Sequence, residues 1–310
     1  GTHGLFRSST IPSVTRVSSQ HESSVLSGVV REIESALADA LATRDLAPGL
    51  ADAIRYMVLA PGKRLRPALV MLCCEAAGGD RRIAALPSAA IELVHCFSLV
   101  HDDLPAMDDD DLRRGRPTLH IHAGEAMAIL AGDAMFSIAF ELLVEAPLPD
   151  GTRVDVIREL SVAATAMITG QVYDTLGGLP EGLQPEQQLG LIHRHKTGAL
   201  LRAACRMGGQ CAGASRAVLD ALTEYGDAIG LMFQIVDDLL DVTQSAEHIG
   251  KATHKDFEAG KLTYPGLLGV DQSRKEVERL HDAARMALDP LGPPAEPLRL
   301  LARDLAIRTK

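Results

Sequence analysis

Residues 91–118 read IELVHCFSLVHDDLPAMDDDDLRRGRPT, in which an apolar helical pattern runs into six aspartates and then into a basic run. Val94 and Phe97 recur at helical spacing, and Pro87 suits the first turn of a helix, so the pattern predicts a buried helix from Pro87 toward Asp102. Carboxylates at the end of such a helix are expensive to bury without a compensating charge. The segment therefore predicts a cation site.

A second acidic cluster, Asp237, Asp238 and Asp241, lies in the apolar segment FQIVDDLLD. Asp237 and Asp241 are neighbours on one helical face, about one turn apart. Like charges on a largely buried helix destabilise it unless a cation compensates them. Mg²⁺ favours a few carboxylates together with waters and substrate phosphates. Two such clusters predict Mg²⁺ ions around a diphosphate, with a solvated acidic stripe as the alternative.

The spacing within the first cluster leaves the choice of ligands open. Asp102 and Asp108 are six residues apart, which does not place them on one face of an ideal helix. Pro105 would break the helix and let the two carboxylates converge. Asp103 and Asp110 are seven apart and align without a kink. A calcium loop is excluded, because it needs a Gly at its sixth position and a Glu at its twelfth.

The composition predicts an all-α protein. Aromatic residues make up only 3% of the 310 residues and Trp is absent, whereas alanine and leucine, which favour helices, are abundant. No strand pattern is found, and the breaks between helical segments are short, which predicts one helical domain over residues 26–310. Residues 1–25 are predicted to be a disordered tail, with a transit peptide as the alternative. The predicted helical segments are 29–43 (capped by Ser27), 125–145, 153–173, 185–209, 215–243 and 272–288.

The charge pattern indicates the type of ligand, and the cysteines indicate the cellular compartment. The net charge is −10, but basic residues cluster in short runs, which suits a small anionic ligand better than nucleic acid. The five cysteines form no CxxC pair, so neither a zinc site nor a disulfide framework is predicted, and a reducing, cytoplasmic environment is expected. No apolar run approaches the roughly 18 residues of a membrane span, which predicts a soluble protein. A plastid or another organelle stays open.

Seven motifs follow one another along most of residues 55–266. They are PGKRLRP at 61–67, HCFSLVHDDLPAMDDDDLRRGRPT at 95–118, ILAGDA at 129–134, GQVYD at 170–174, HKTGAL at 195–200, FQIVDDLLD at 233–241 and GKATHKDFEAGKLTYP at 250–265. Their identity and order resemble the trans-isoprenyl diphosphate synthases, in the short-chain branch that makes farnesyl or geranylgeranyl diphosphate. Seven ordered motifs make the resemblance specific.

The resemblance implies an all-α fold of the isoprenoid synthase type around a central cavity, in a homodimer. It implies a head-to-tail condensation of isopentenyl diphosphate with an allylic diphosphate, dimethylallyl or geranyl, that depends on about three Mg²⁺ ions per site.

The Mg²⁺ ligands would be Asp102, Asp108 and Asp237, supported by Asp103 and Asp241. Isopentenyl diphosphate would be bound by Lys63, Arg66, His95 and Arg114. The allylic diphosphate would be held by Arg113, Lys196, Thr197, Gln234, Lys251 and Lys261. Asp102, Asp108, Asp237 and Lys196 would act directly in catalysis.

Product length is expected to depend on the helix before the first cluster. Phe97 lies five residues before Asp102, about 7.5 Å along a helix, where a ring would form the floor of the product cavity, and the neighbouring Ser98 is small. The resemblance to bacterial farnesyl-type enzymes, with the Pro105-Ala106 insertion, favours a C15 product, with C20 as the alternative. Ordinary core packing is the other interpretation of Phe97.

Two other functions fit parts of the pattern. A terpene cyclase shares the first acidic motif, but its second motif normally contains Asn, Ser or Thr and Glu, and it does not need Lys63, Arg66 and His95. A non-catalytic regulatory subunit would be expected to lack one Asp motif, and both are present. Two departures from the family pattern remain. Pro61-Gly62 precedes Lys63 where Gly-Gly is common, and the segment before Arg308 lacks an aromatic residue, which leaves a closing role of the C-terminus open.

Overall fold

The computed structural model describes residues 24–248 and 262–308, and this part of the chain is helical, which confirms the predicted all-α class. The helices are α1 (Ser24–Ala42), α2 (Pro48–Val58), α3 (Leu65–Ala76), α4 (Ala85–Asp102), α5 (Leu119–Ala123), α6 (Glu125–Glu145), α7 (Asp150–Thr175), α8 (Pro185–His193), α9 (Ala199–Cys211), α10 (Arg216–His248), α11 (Tyr264–Leu268), α12 (Val270–Ala287) and α13 (Glu296–Ile307). A π-helical turn, Arg194–Gly198, links α8 to α9.

Helix α4, which ends at the first acidic cluster, lies in the middle of the packing. It packs mainly on α6, and also on α3 and α1, while α10, which carries the second cluster, packs on α9 and α12. Gly132 of α6 leaves room for the ring of His101 on α4, which a Cβ at this position would displace. The His101 ring instead lies 3.1 Å from the Ile129 carbonyl oxygen. The last turn of α4 is thereby held against α6.

The helix predictions are largely confirmed, with three corrections. Ser27 lies inside α1 and does not cap it, because the helix begins earlier in an apolar stretch. The segment predicted as one helix over 185–209 is divided by the π-helical turn. A two-stranded ladder, β1 (Leu112–Arg113) and β2 (Arg116–Pro117), follows the first acidic cluster although no strand was predicted. Its strands are too short to produce an alternating pattern.

Two of the described helices are long and apolar enough to cross a membrane by length and composition alone, so the absence of a membrane span stays a prediction. They are Arg81–Asp102 and Glu125–Glu145. In the most apolar 18 residues of each, 61% and 44% of the residues are buried, respectively. Core helices of soluble proteins have the same length and composition. These two segments contain α4 and α6, which pack on each other. The first of them therefore belongs to the helical core.

Candidate active site

The first acidic cluster folds back on the end of α4. The helix ends at Asp102, before Pro105, as predicted from the missing amide donor of proline. The backbone N–H of Asp108 then donates to the Asp102 carbonyl oxygen at 2.8 Å, and the N–H of Asp110 donates to the Asp103 carbonyl oxygen at 3.2 Å. Asp108 is therefore returned to the side of Asp102 although six residues separate them.

At both acidic clusters, burial disfavours the charged form of one carboxyl group, and nearby cations oppose this effect. Burial raises the pKa of Asp102 to about 6, Lys196 opposes that shift, and Asp108 adds to it. Burial also raises the pKa of Asp237, with Lys63 and Arg308 acting against the shift. A bound cation would relieve this cost.

The described residues contain no group of three His, Cys, Asp or Glu side chains that is ready to hold a metal ion. This agrees with the donor chemistry of Mg²⁺, which commonly takes one or two carboxylates and completes its shell with water and phosphate oxygens. Asp102 and Asp108 after α4, and Asp237 on α10, are the carboxylates that could contribute to such a shell if a diphosphate supplied the missing oxygens.

The second aspartate of each cluster is buried and occupied by protein donors. Asp103 is 2% exposed, and its carboxylate accepts hydrogen bonds from Arg113 Nε at 2.9 Å and from Nη2 at 2.6 Å. Asp238 accepts from Gln234 Nε2 at 2.9 Å and from the backbone N–H of Tyr264 at 3.1 Å. The supporting metal role assigned to Asp103, and the substrate role assigned to Arg113, stay predictions.

Near the start of α3, Arg66 and His95 form a partly buried group, and Lys63 lies exposed beside it. Arg66 Nη1 lies 3.4 Å from His95 Nε2, and burial, followed by the charge of Arg66, holds the pKa of His95 well below its usual value. Arg66 Nε is buried without a hydrogen-bond partner among the described residues. The Lys63 ammonium lies 5.7 Å from the centre of the Phe233 ring, on α10. This group can receive an anion.

The hairpin after the first cluster places two of the predicted arginines beside His95. Arg114 adopts a left-handed conformation, φ 52°, and donates from Nη1 to the Pro61 carbonyl oxygen at 3.0 Å. A cavity of about 150 Å³ is lined by His95, Arg113 and Arg114, whereas Lys63 and Arg66 do not line it. A larger cavity of about 400 Å³ lies between α12 and α13 and contains none of the predicted site residues.

Residues of the π-helical turn face α7 and α10. The Lys196 ammonium lies 2.6 Å from Asp174 Oδ2, and the Thr197 hydroxyl donates to Gln234 Oε1 at 3.2 Å. Gly170 of α7 is required here, because a Cβ would clash with the backbone of Lys196. Lys251 and Lys261 lie outside the described residues.

Sequence reasoning missed four residues near the site. Asp174 holds Lys196, and Arg308 acts on both Lys63 and Asp237. Gln171 is 8% exposed, and neither polar atom of its side chain has a hydrogen-bond partner in the described part of the chain. Asp238 belongs to the second acidic cluster, but its pattern predicted no role of its own. The GQVYD motif contained a signal for Asp174 and Gln171, since the two polar residues lie three apart on one helical face.

The predicted product floor contains more than Phe97. Its ring centroid lies 5.0 Å from that of His101 and 5.0 Å from that of Phe136, and Phe140 follows at 5.2 Å from Phe136. The Ser98 hydroxyl donates to the His95 carbonyl oxygen at 2.8 Å, inside its own helix. Phe97 thus joins the ring of His101 on α4 to an aromatic cluster that it forms with Phe136 and Phe140 of α6.

Comparison with known proteins identifies the family of the chain. Residues 47–288 match the polyprenyl synthetase family. The chain is 48% identical over 237 residues to farnesyl diphosphate synthase from Escherichia coli (strain K12), covering 74% of this chain and 78% of that protein. It is 42% identical over 257 residues to geranylgeranyl pyrophosphate synthase 11, chloroplastic, from Arabidopsis thaliana, covering 80% of this chain and 71% of that protein.

A solved structure agrees in fold over nearly the whole length. The geranyltransferase from Legionella pneumophila superposes with a TM-score of 0.81 at 34% sequence identity, covering 93% of this chain and 97% of that one. The family match, the identities and the fold lead to one assignment. The chain belongs to the polyprenyl synthetase family, and it is a short-chain prenyltransferase.

Proposed function

We propose that this prenyltransferase condenses isopentenyl diphosphate head to tail with geranyl or dimethylallyl diphosphate, and that farnesyl diphosphate is its main product. The observation that carries the proposal is the separation of charges in the site. Lys196 acts on Asp102, whereas Lys63 and Arg308 act on Asp237. Two acidic groups, each with its own nearby cations, suit the binding of two diphosphates, and the carboxylates would hold the metal ions.

Members of this family use Mg²⁺. Asp102, Asp108 and Asp237 would hold about three ions, with Asp241 in support. Bound Mg²⁺ supplies neutralisation of the departing diphosphate. Lys196 and Arg113 would bind the same diphosphate. Lys196 acts as a point charge and Arg113 as a planar fork, which is why both residue types suit phosphate oxygens.

Isopentenyl diphosphate is assigned to Lys63, Arg66, His95 and Arg114. The Nε of Arg66 lacks a hydrogen-bond partner among the described residues, which supports an anion at this position. The Lys63 ammonium is held near the α10 side by its contact with Phe233. Its pKa is lowered first by burial and then by Arg308, so a bound anion would offset both effects.

The carbon that loses the diphosphate becomes cationic, and oxygen dipoles should stabilise it. Thr197 and Gln234 are hydrogen-bonded to each other next to Lys196, so their oxygens lie beside the group that binds the leaving diphosphate. Gln171, whose amide has no hydrogen-bond partner among the described residues, lies one turn before Asp174 on α7 and offers a third oxygen, from a second amide. The double bond of isopentenyl diphosphate attacks the cation, and a proton then leaves to the departing diphosphate.

We assign the control of product length to the aromatic cluster of Phe97, Phe136 and Phe140. Phe97, Phe136 and Phe140 are in successive ring contact, and Phe97 lies below Asp102 by about 7.5 Å along α4. A rigid aromatic floor at this depth favours C15 over C20, with Ser98 leaving room beside it.

Assembly into a homodimer is part of the proposal. Helices α6 and α7 expose apolar side chains that a soluble monomer would rarely leave uncovered together: Leu130 (57% exposed), Val162 (60%) and Ile168 (48%). A second copy of the chain suits this surface, because most soluble homo-oligomers are two-fold symmetric. Light scattering should give twice the 33.0 kDa of one chain. Leu130→Glu should shift the protein to the monomer, and a wild-type monomer would contradict the assignment.

The test of the reaction is incubation of the purified chain with isopentenyl and geranyl diphosphates and Mg²⁺. Release of pyrophosphate with a linear C15 product is expected. A cyclised hydrocarbon from geranyl diphosphate alone would indicate a terpene cyclase, and no turnover would indicate a regulatory subunit. Cytoplasmic localisation stays a prediction, since an Arabidopsis relative is named as chloroplastic.

A further inference from the structure

Asp238 belongs to one chain of hydrogen bonds that links three segments of the protein, α10, α11 and the π-helical turn. It is 7% exposed, and its Oδ1 accepts from Gln234 Nε2 at 2.9 Å, one turn earlier on α10. Its Oδ2 accepts from the backbone N–H of Tyr264, the first residue of α11, at 3.1 Å. At the other end of the Gln234 amide, Oε1 accepts from the Thr197 hydroxyl at 3.2 Å.

The chemistry of these groups sets the direction of the Gln234 amide. A carboxylate accepts hydrogen bonds and donates none, whereas a glutamine amide has one end that donates and one end that accepts. The NH₂ end must therefore face Asp238, because the reversed amide would place two acceptors against each other. The carbonyl oxygen is then left on the side of Thr197. A hydroxyl alone would not select this orientation, since it both donates and accepts.

The direction of the amide decides its electrostatic effect on a cation. With the observed orientation, Oε1 of Gln234 and the Thr197 oxygen lie together beside Lys196, and the negative ends of both dipoles are available to a developing positive charge. With the amide reversed, two N–H donors would occupy that position and would oppose the cation. A dipole oriented before the reaction costs no reorganisation when the charge develops.

We propose that Asp238 is a positioning residue that fixes the Gln234 amide with its carbonyl oxygen toward the allylic carbon, and that it is not a Mg²⁺ ligand. The inference rests on the proposed function, because it needs the allylic substrate beside Thr197 and Gln234. The contact with Tyr264 adds a second effect. It ties the carboxylate to the start of α11, so the orientation of Gln234 also depends on how α11 is seated.

Two other roles for Asp238 make different predictions. A metal ligand would control the Mg²⁺ concentration that the enzyme needs, as Asp237 should. A purely structural residue would control the stability of α10 and α11, and its loss would not depend on whether Gln234 is present. A positioning residue controls the rate of the chemical step and acts only through Gln234.

The experiment is a double-mutant cycle with Asp238→Asn and Gln234→Ala, measured by single-turnover rates on geranyl and isopentenyl diphosphates. The D238N side chain keeps an oxygen for Tyr264 but no longer forces the direction of the Gln234 amide. D238N should lower the rate about 10- to 100-fold, as outer partners of site residues commonly do. In the Q234A background the same change should cost less than about twofold, because the two residues act as a unit.

The Mg²⁺ concentration for half-maximal rate should stay within about twofold of wild type in D238N and rise in D237N.

Three results would overturn the proposal. One is a Mg²⁺ requirement in D238N that rises as in D237N. Another is a rate loss for D238N that is equally large with and without Gln234. The third is no rate loss in a folded D238N.

Asp238→Glu keeps a group that only accepts, so it should retain more rate than D238N, and it replaces D238N in the cycle if the Asn variant does not fold. Asp220→Asn, an exposed aspartate of α10 paired with Arg216, is the matched control and should equal wild type. Failure of the proposed function is separate, since the wild type itself would then give no product from these two substrates.

Discussion

Arg113 and Asp103 form a two-point ion pair, with Arg113 Nη2 2.6 Å and Nε 2.9 Å from the two oxygens of a carboxylate that is 2% exposed. The pair joins the last turn of α4 to strand β1, and hydrogen bonding to Asp103 raises the pKa of the Arg113 guanidinium. Asp103 thus holds the hairpin that carries Arg113 and Arg114 against the acidic cluster.

Asp103→Asn should destabilise the protein and weaken the binding of the allylic substrate, with little change in the Mg²⁺ requirement. Removing one partner leaves the Arg113 guanidinium uncompensated, at a cost of about 2 kcal/mol in unfolding free energy. Urea denaturation measures that loss, and kinetics should show a higher KM for geranyl diphosphate. If Asp103→Asn instead raises the Mg²⁺ requirement as much as Asp102→Asn, Asp103 is a metal ligand.

Asp102→Asn should stabilise the metal-free protein while removing activity. Burial raises the pKa of Asp102 to about 6, above the roughly 3.9 of an unfolded chain, so the native state binds the proton more tightly. The charged form therefore costs stability above about pH 6, and the cost disappears as pH falls toward 4. The expected gain is about 1–2 kcal/mol at pH 7.5, less than the full shift implies because the carboxyl is partly exposed. Thermal denaturation in EDTA at pH 7.5 and 4.5 measures it. An equal gain at both pH values would contradict this cause.

Phe97→Ala should lengthen the product beyond C15. Removing the ring opens the α4 side of the aromatic cluster, and the chain can then grow past the level of Phe136. Chromatography of the dephosphorylated products measures the shift, and Phe140→Ala, one ring further from Phe97, should retain C15. An unchanged product from a folded Phe97→Ala variant would leave Phe97 as ordinary core packing.

Gly170→Ala should lower both stability and turnover, because a Cβ there meets the backbone of Lys196, which cannot move aside as a flexible side chain would. The expected cost is about 1–3 kcal/mol, with a higher KM for the allylic substrate as the π-helical turn shifts. Gly151→Ala on the same helix has open space around it and should stay within about 1 kcal/mol of wild type. Equal behaviour of the two variants in denaturation and kinetics would show that the close approach is not needed.

The sequence predicted those parts of the site that depend on local chemistry. Pro105 predicted where α4 ends, and the spacing of Asp237 and Asp241 predicted an acidic helical face. The partners of Asp103 and Asp238 were not predictable, because each lies on a segment that only the tertiary fold brings near: β1 for Asp103 and the start of α11 for Asp238. Asp174 was missed for the same reason, since its contact with Lys196 joins α7 to a turn 22 residues away.

The most direct test is product analysis of the metal-stripped chain with isopentenyl and geranyl diphosphates, with and without added Mg²⁺. The account predicts no turnover without Mg²⁺, and with it a linear C15 diphosphate formed together with one pyrophosphate per condensation. Asp102→Asn and Asp237→Asn should each abolish most of that turnover. Condensation that persists without a divalent ion, or that survives the loss of either aspartate, would contradict the central claim that the two acidic clusters bind the metal ions that release the allylic diphosphate.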